Sequence, residues 1–213
     1  MYDIPNYLTH YYEGNIRFEN ICSYNNVEAQ AILTNLSESG QRTWLHPGYL
    51  EERREIEAWL YNSFVNKGKK PYLRHPIYFV LGEHDDLFQK GGFFSSSSPT
   101  KLKIPLSLFG SNQISFTYPD SMPSFNIPRQ ERGKPYLKPF HGQVFTKDEI
   151  TEVVQTYRLP KDRWKIQEAW RYDRFIEAQI WDVRPIDNFI AYNICFKYLF
   201  MTHFCQLQKL HKR

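Results

Sequence analysis

Two periodicities divide the chain. Tyr7–Tyr12 alternates, with Thr9 and Tyr11 opposed to Leu8, His10 and Tyr12, and predicts a short strand. Asn26–Leu36 has helical spacing, with Val27, Ala31, Ile32 and Leu36 able to share a face. Tyr49–Asn66 predicts the clearest helix: Leu50, Ile56, Leu60 and Phe64 fall on one side, and the ERRE run pairs charges on the solvent side. Lys67-Gly68-Lys69-Lys70-Pro71 stops that helix. The run IYFVLG after His75-Pro76 predicts a central strand. Lys101–Leu108, Ile114–Tyr118, Gln143–Phe145 and Phe175–Trp181 predict further strands. Thr146 and Glu149 form a capping box that opens a helix over Lys147–Tyr157. Gly91–Pro99 predicts a loop. Ser121–Pro139 carries prolines at 123, 128, 135 and 139 and predicts irregular backbone. Strands and helices do not alternate regularly as βαβ units, so the class expected is α+β.

Composition narrows the picture. The 213 residues are 41% hydrophobic, enough for a packed core that buries about 70% of the unfolded surface. Aromatic residues reach 17%, which serves either a core or the stacking of bases and nicotinamide rings. The net charge of +4 permits a polyanionic partner without requiring one. Cys22, Cys195 and Cys205 have neither disulfide-framework nor metal-site spacing, so no metal and a reducing, cytoplasmic setting are expected. No secretory leader pattern is read at the N-terminus. Phe189–Leu207 has the length of a membrane span, but Asn193, Lys197 and His203 lie inside it. It is expected to be an apolar helix, either buried or covered by a partner, and not a membrane segment. The organisation expected is one domain over residues 1–186 and an apolar helix with a basic tail over 187–213. No GxGxxG, P-loop, HExxH or GxSxG motif occurs. The EHDD run at Glu83–Asp86 fits a polar turn more simply than a Mg²⁺ site.

Three ordered segments together resemble the ADP-ribosyltransferase superfamily, above all its bacterial toxin branch that modifies nucleic acid. LTHYYEG (8–14) is similar to that superfamily's opening strand, and ISFTYPDSMPS (114–124) to the aromatic strand and loop of the toxins that modify DNA bases. FIEAQIWDVRPI (175–186) is similar to the late strand with the catalytic [E/Q]-x-[E/Q] pattern. The same segments, with HPIYFVLG and GQVFT, also resemble a bacterial family of unassigned activity. The first resemblance implies split antiparallel sheets with an N-terminal helical insertion. It implies NAD as a substrate, DNA or RNA (less readily protein) as acceptor, and a toxin or phage-defence role. The apolar C-terminal helix would then suit an antitoxin or other protein partner. In many toxins the catalytic glutamate stands third in the pattern; here Gln179 is third and Glu177 first.

Breaking an N-glycosidic bond passes through an oxocarbenium-like state, which a carboxylate beneath the ribose stabilises. The resemblance gives Glu177 that role; the alternative is a strand-end glutamate paired with Arg174 or Arg184. It has His10 donate a hydrogen bond to a ribose hydroxyl of NAD, against a core histidine bonded to a carbonyl. Tyr11, Tyr78, Ser115, Thr117, Tyr118 and Gln179 complete the expected NAD-binding set, Tyr78 or Tyr118 stacking on nicotinamide unless they only pack the core. Lys69, Lys70, Arg163, Trp164 and Lys165 mix basic and aromatic groups as a nucleic-acid surface would, or form a solvated loop. A non-catalytic nucleic-acid or protein-binding module is the other function expected from the same residues.

Overall fold

The alternating runs become six strands of one sheet. They are β1 (Tyr7–Tyr12), β2 (Ile77–Leu81), β3 (Thr100–Pro105), β4 (Ile114–Thr117), β5 (Val144–Phe145) and β6 (Glu177–Ile180), ordered β3-β1-β2-β6-β4-β5. Each neighbouring pair is antiparallel. The helices are α1 (Asn26–Glu38), α2 (Tyr49–Asn66), α3 (Ser121–Gln130), α4 (Lys147–Tyr157) and α5 (Arg163–Ile166). The class is α+β. The split into two sheets is not found, because β2 and β6 pair from Ile77↔Ile180 to Val80↔Glu177 and join all six strands.

The computed structural model describes residues 4–13, 18–40, 42, 45–85, 99–130, 137–161 and 163–192. The chain divides into two compact units, Met1–Asp182 and Val183–Arg213. In the second, residues 184–192 are helical, while the rest of the apolar stretch and the basic tail lie outside the described residues. Residues 91–98 of the expected loop also lie outside them. No helix among the described residues is long and apolar enough to cross a membrane.

Helix α2 builds the core. Leu50, Ile56, Leu60 and Phe64 are buried as its spacing predicts, each contributing about 1.5–3 kcal/mol. Ile56, Leu60 and Phe64 pack with Phe125, Val144 and Trp181. The same stripe also buries Arg53 and Glu57, so part of the charge run faces inward, not to solvent. On α1, Ala29 and Leu33 are buried instead of the expected face, and Val27 is 80% exposed.

The proline-rich stretch is the main correction to the expected elements: its first half is helix α3. Pro123 sits in the first turn, where a missing N–H costs no helical bond. Pro128 falls in the final turns, where the helix ends at Gln130. Asp120 caps α3, its carbonyl accepting from Ser124 N at 3.0 Å and its carboxylate from Met122 N–H. Helix α4 has the expected capping box: Glu149 N donates to Thr146 Oγ1 at 3.4 Å and Thr146 N to a Glu149 oxygen at 2.8 Å. At one border of the sheet, Lys101 and Lys103 on β3 pair with Glu83, and Lys101 also with Asp85.

Candidate active site

The ladder between β1 and β2 is short. It pairs Leu8 with Leu81 and Thr9 with Val80, whereas β1 pairs with β3 along its whole length. Beyond Thr9 a side chain replaces the main-chain partner: His10 Nδ1 donates to the Tyr78 carbonyl at 2.8 Å. The imidazole acts as a wedge between the strands and packs on Phe79, with centroids 4.8 Å apart. A cavity of about 360 Å³ forms along this seam. His10, Tyr11 and Tyr78 line it with Glu177 of β6, Arg53 of α2, Asp120 at the start of α3, and Phe175. Its volume is at the lower end for small-molecule sites.

His10 is therefore bonded to a carbonyl, as a core histidine would be, and also lines the cavity. Because Nδ1 carries the donated proton, Nε2 of the neutral ring is an acceptor. In the neutral ring a hydroxyl would donate to His10, the reverse of the donation that the resemblance implies.

Glu177 is 9% exposed. Its Oε1 accepts from Gln179 Nε2 at 3.0 Å and from Ser121 N at 3.3 Å. Gln179 is fixed in turn: its Oε1 accepts from Ser115 Oγ at 2.9 Å and its Nε2 donates to Thr117 Oγ1 at 3.0 Å. The Trp181 indole N–H completes the line by donating to Ser115 Oγ at 2.8 Å. Ser115, Thr117 and Gln179 are fully buried and are not among the residues lining the cavity. They share the Glu177 face through the β4–β6 register, Ser115↔Gln179 and Thr117↔Glu177, and hold that carboxylate from beneath. Of the expected NAD-binding set, these three lie behind the cavity wall and not on it. The first position of the [E/Q]-x-[E/Q] pattern thus faces the cavity and the third supports it.

Tyr118 is also fully buried, stacking on Phe140 at 4.4 Å while its hydroxyl donates to the Arg158 carbonyl. It packs the core and is not among the lining residues. Tyr78 lines the cavity, but Arg53 lies over its ring at 4.2 Å and its hydroxyl donates to Glu57 at 2.9 Å. One ring face is thereby occupied. Tyr11 lines the wall, with its hydroxyl donating to Asp85 at 3.1 Å and accepting from His84 N at 2.8 Å.

Pattern reading missed Asp120, Arg53 and Glu57. Burial pushes Asp120 up to about 7, with the Glu177 charge adding and Arg174 and Arg53 opposing. Burial likewise pushes Glu177 above the ordinary glutamate range, against Arg53 and the hydrogen bonds from Gln179 and Ser121. Two adjacent carboxylates in a desolvated wall cannot both ionise cheaply. Burial opposes the Arg53 charge, but Tyr78, Tyr49, Glu177 and Glu57 outweigh it and hold the guanidinium above its usual value. Its Nη1 donates to Ser121 Oγ at 3.0 Å. Burial also opposes the Glu57 charge, yet His75, Arg53, Asn20 and Tyr78 keep it below the usual carboxylate range. The helical spacing of Arg53 and Glu57 with Leu50 and Leu60 was the signal for their inward direction.

Cys22, Glu57 and His75 bring possible metal-ligand atoms within 4.8 Å. Both Glu57 oxygens are engaged by Asn20, Tyr78 and His75, and burial pushes the Cys22 thiol up to about 12. The group reads as a hydrogen-bonded support for Arg53.

The expected nucleic-acid residues are dispersed in role. Arg163 donates to the Tyr157, Leu159 and Pro160 carbonyls and stacks on Trp170 at 3.8 Å. That engagement ties the guanidinium to the end of α4 rather than to a phosphate. Lys165 is exposed on α5, and the Trp164 side chain lies outside the described residues. Lys69 and Lys70 follow α2, Lys70 exposed and its N–H donating to Asn112 at 3.2 Å.

No known protein family, curated protein or solved structure matches the chain.

Proposed function

We propose that the protein cleaves the nicotinamide–ribose bond of NAD and transfers ADP-ribose to an acceptor, with nucleic acid the acceptor class implied by the resemblance. The observation that carries this reading is the shared cavity: His10 from β1 and Glu177 from β6 line one space although they stand 167 positions apart in the chain. In this reading the β1–β2 seam, where the ladder stops at Thr9, admits the dinucleotide within an ADP-ribosyltransferase-like fold whose strands form one sheet.

The residues suit a reaction that develops positive charge on a sugar. Glu177 lies beneath the ribose and balances the oxocarbenium charge. Gln179 and Ser121 keep its carboxylate fixed, so little reorganisation is needed at the moment of reaction. His10 Nε2 accepts from a ribose hydroxyl. Tyr11 and Phe79 supply aromatic walls, and the open part of the cavity leaves the adenylate end of NAD to extend outward.

The decisive test is nicotinamide release from NAD by purified protein, with single-stranded DNA and RNA oligonucleotides as acceptors. Glu177→Gln preserves shape and removes the charge. It is expected to lower turnover by about 10³-fold or more while NAD still binds. Full turnover in that variant would remove Glu177 from the chemistry. Binding of oligonucleotide by wild-type protein without nicotinamide release would favour the binding-module reading instead.

A further inference from the structure

Asp120 stands beside Glu177 at the start of α3 and lines the same cavity. Met122 N–H holds the Asp120 carboxylate and Ser121 N holds Glu177, so consecutive amides fix the two acids. The charged groups facing Asp120 are Glu177 from β6, Arg53 from α2 and Arg174 from the segment before β6. Arg53, Gln179 and Ser121 support a negative charge on Glu177, and Arg174, Arg53 and the Met122 amide support one on Asp120. The two acids titrate as a pair, and burial raises both above their ordinary values.

Resting on the NAD reading above, we propose that Asp120 is the general base that deprotonates the attacking nucleophile while Glu177 remains ionised under the ribose. The nucleophile's lone pair forms the bond to the anomeric carbon. The carbon–nitrogen bond to nicotinamide breaks, and its electron pair goes to the ring nitrogen and cancels its positive charge. The nucleophile's proton passes to an Asp120 carboxylate oxygen. With water as nucleophile the same transfer yields free ADP-ribose. A base with its transition near neutral pH is well matched to this task.

The test follows nicotinamide release from NAD in water between pH 5.5 and 8.5, for wild type, Asp120→Asn and Asp120→Ser. Asn and Ser both still cap a helix. Wild-type kcat is expected to rise with pH through about 7 and then level off. Both variants are expected to lose about 10²-fold or more in kcat and the rise with it, with KM for NAD little changed. Sodium azide, an anion that needs no deprotonation, is expected to restore nicotinamide release to the variants and not to accelerate wild type. A structural role for Asp120 gives no azide rescue. Variants that keep the wild-type rate and pH profile, or that azide leaves inactive, overturn the role of Asp120 alone. Wild-type protein that releases no nicotinamide at any pH overturns the NAD reading and this inference together.

Discussion

Around Asp173, buried charges of opposite sign meet; around Glu177, two carboxylates share one wall. Asp173 is fully buried, with His141 Nε2 at 2.6 Å from one oxygen and Lys138 on the other. Lys138 also donates to the Ala169 carbonyl and lies over Trp170 at 3.7 Å. Burial lowers the Lys138 ammonium from its usual value, with Asp173 opposing. His141 Nδ1 accepts from Lys138 N at 3.3 Å, so the ring is bonded at both nitrogens. Nothing in that cluster lines the cavity. At Glu177 and Asp120 two acids stay adjacent, and the cavity opens onto them. A buried charge whose partners are all internal describes stability, whereas acids kept together on a cavity wall mark a candidate site.

The comparison breaks most visibly at Asp173. Asp173→Ala leaves His141 and the partly buried Lys138 without their shared carboxylate and is expected to cost about 3–5 kcal/mol in urea unfolding, with the proposed NAD turnover per folded molecule unchanged. A small loss would show that the cluster is open to solvent.

Asp120→Asn should act in the other direction. The folded state holds Asp120 at about 7, above its ordinary value, so folding takes up a proton between those limits. That contribution is complete below about pH 4 and is lost as pH rises through 7. The variant should therefore be more stable than wild type at pH 8, by about 2–4 kcal/mol, with the gap closing near pH 4. An equal gap at both pH values would show that the two acids do not strain the fold.

Ser115→Ala is the mildest change. It leaves the Trp181 N–H and the Gln179 carbonyl without their partner and is expected to cost about 1–3 kcal/mol in urea unfolding. NAD turnover per folded molecule should also fall, because Gln179 orients Glu177. Unchanged turnover would separate the ladder from the site.

Much of the framework was legible where periodicity and caps agree. β1, α2 and α4 have the bounds their spacing predicts, and Thr146 and Glu149 announce α4. Helix α3 was hidden because prolines signal a break, although a first-turn proline and one near the end are tolerated. The cavity was legible only in part. Strand alternation places Glu177 and Gln179 on one face but does not say which reaches the open space; that depends on what packs above each. Asp120 stands between the strand read over Ile114–Tyr118 and the stretch read as irregular from Ser121, and neither pattern marks it. Arg53 sits in a run that looks like a solvated helix face, and only its spacing from Leu50 and Leu60 points inward. The wedge at His10 has no periodic signature, since it depends on a strand 68 residues away in the chain.

The two outer strands also govern how the molecule meets its own copies. An unpaired strand edge is a template for adding further chains. β3 guards one flank with Lys101 and Lys103, each tied to acids beside it, and β5 offers only Val144 and Phe145 on the other. Neither flank of the described sheet gives an incoming strand a long uncharged ladder, so fibrous growth finds little foothold at either border.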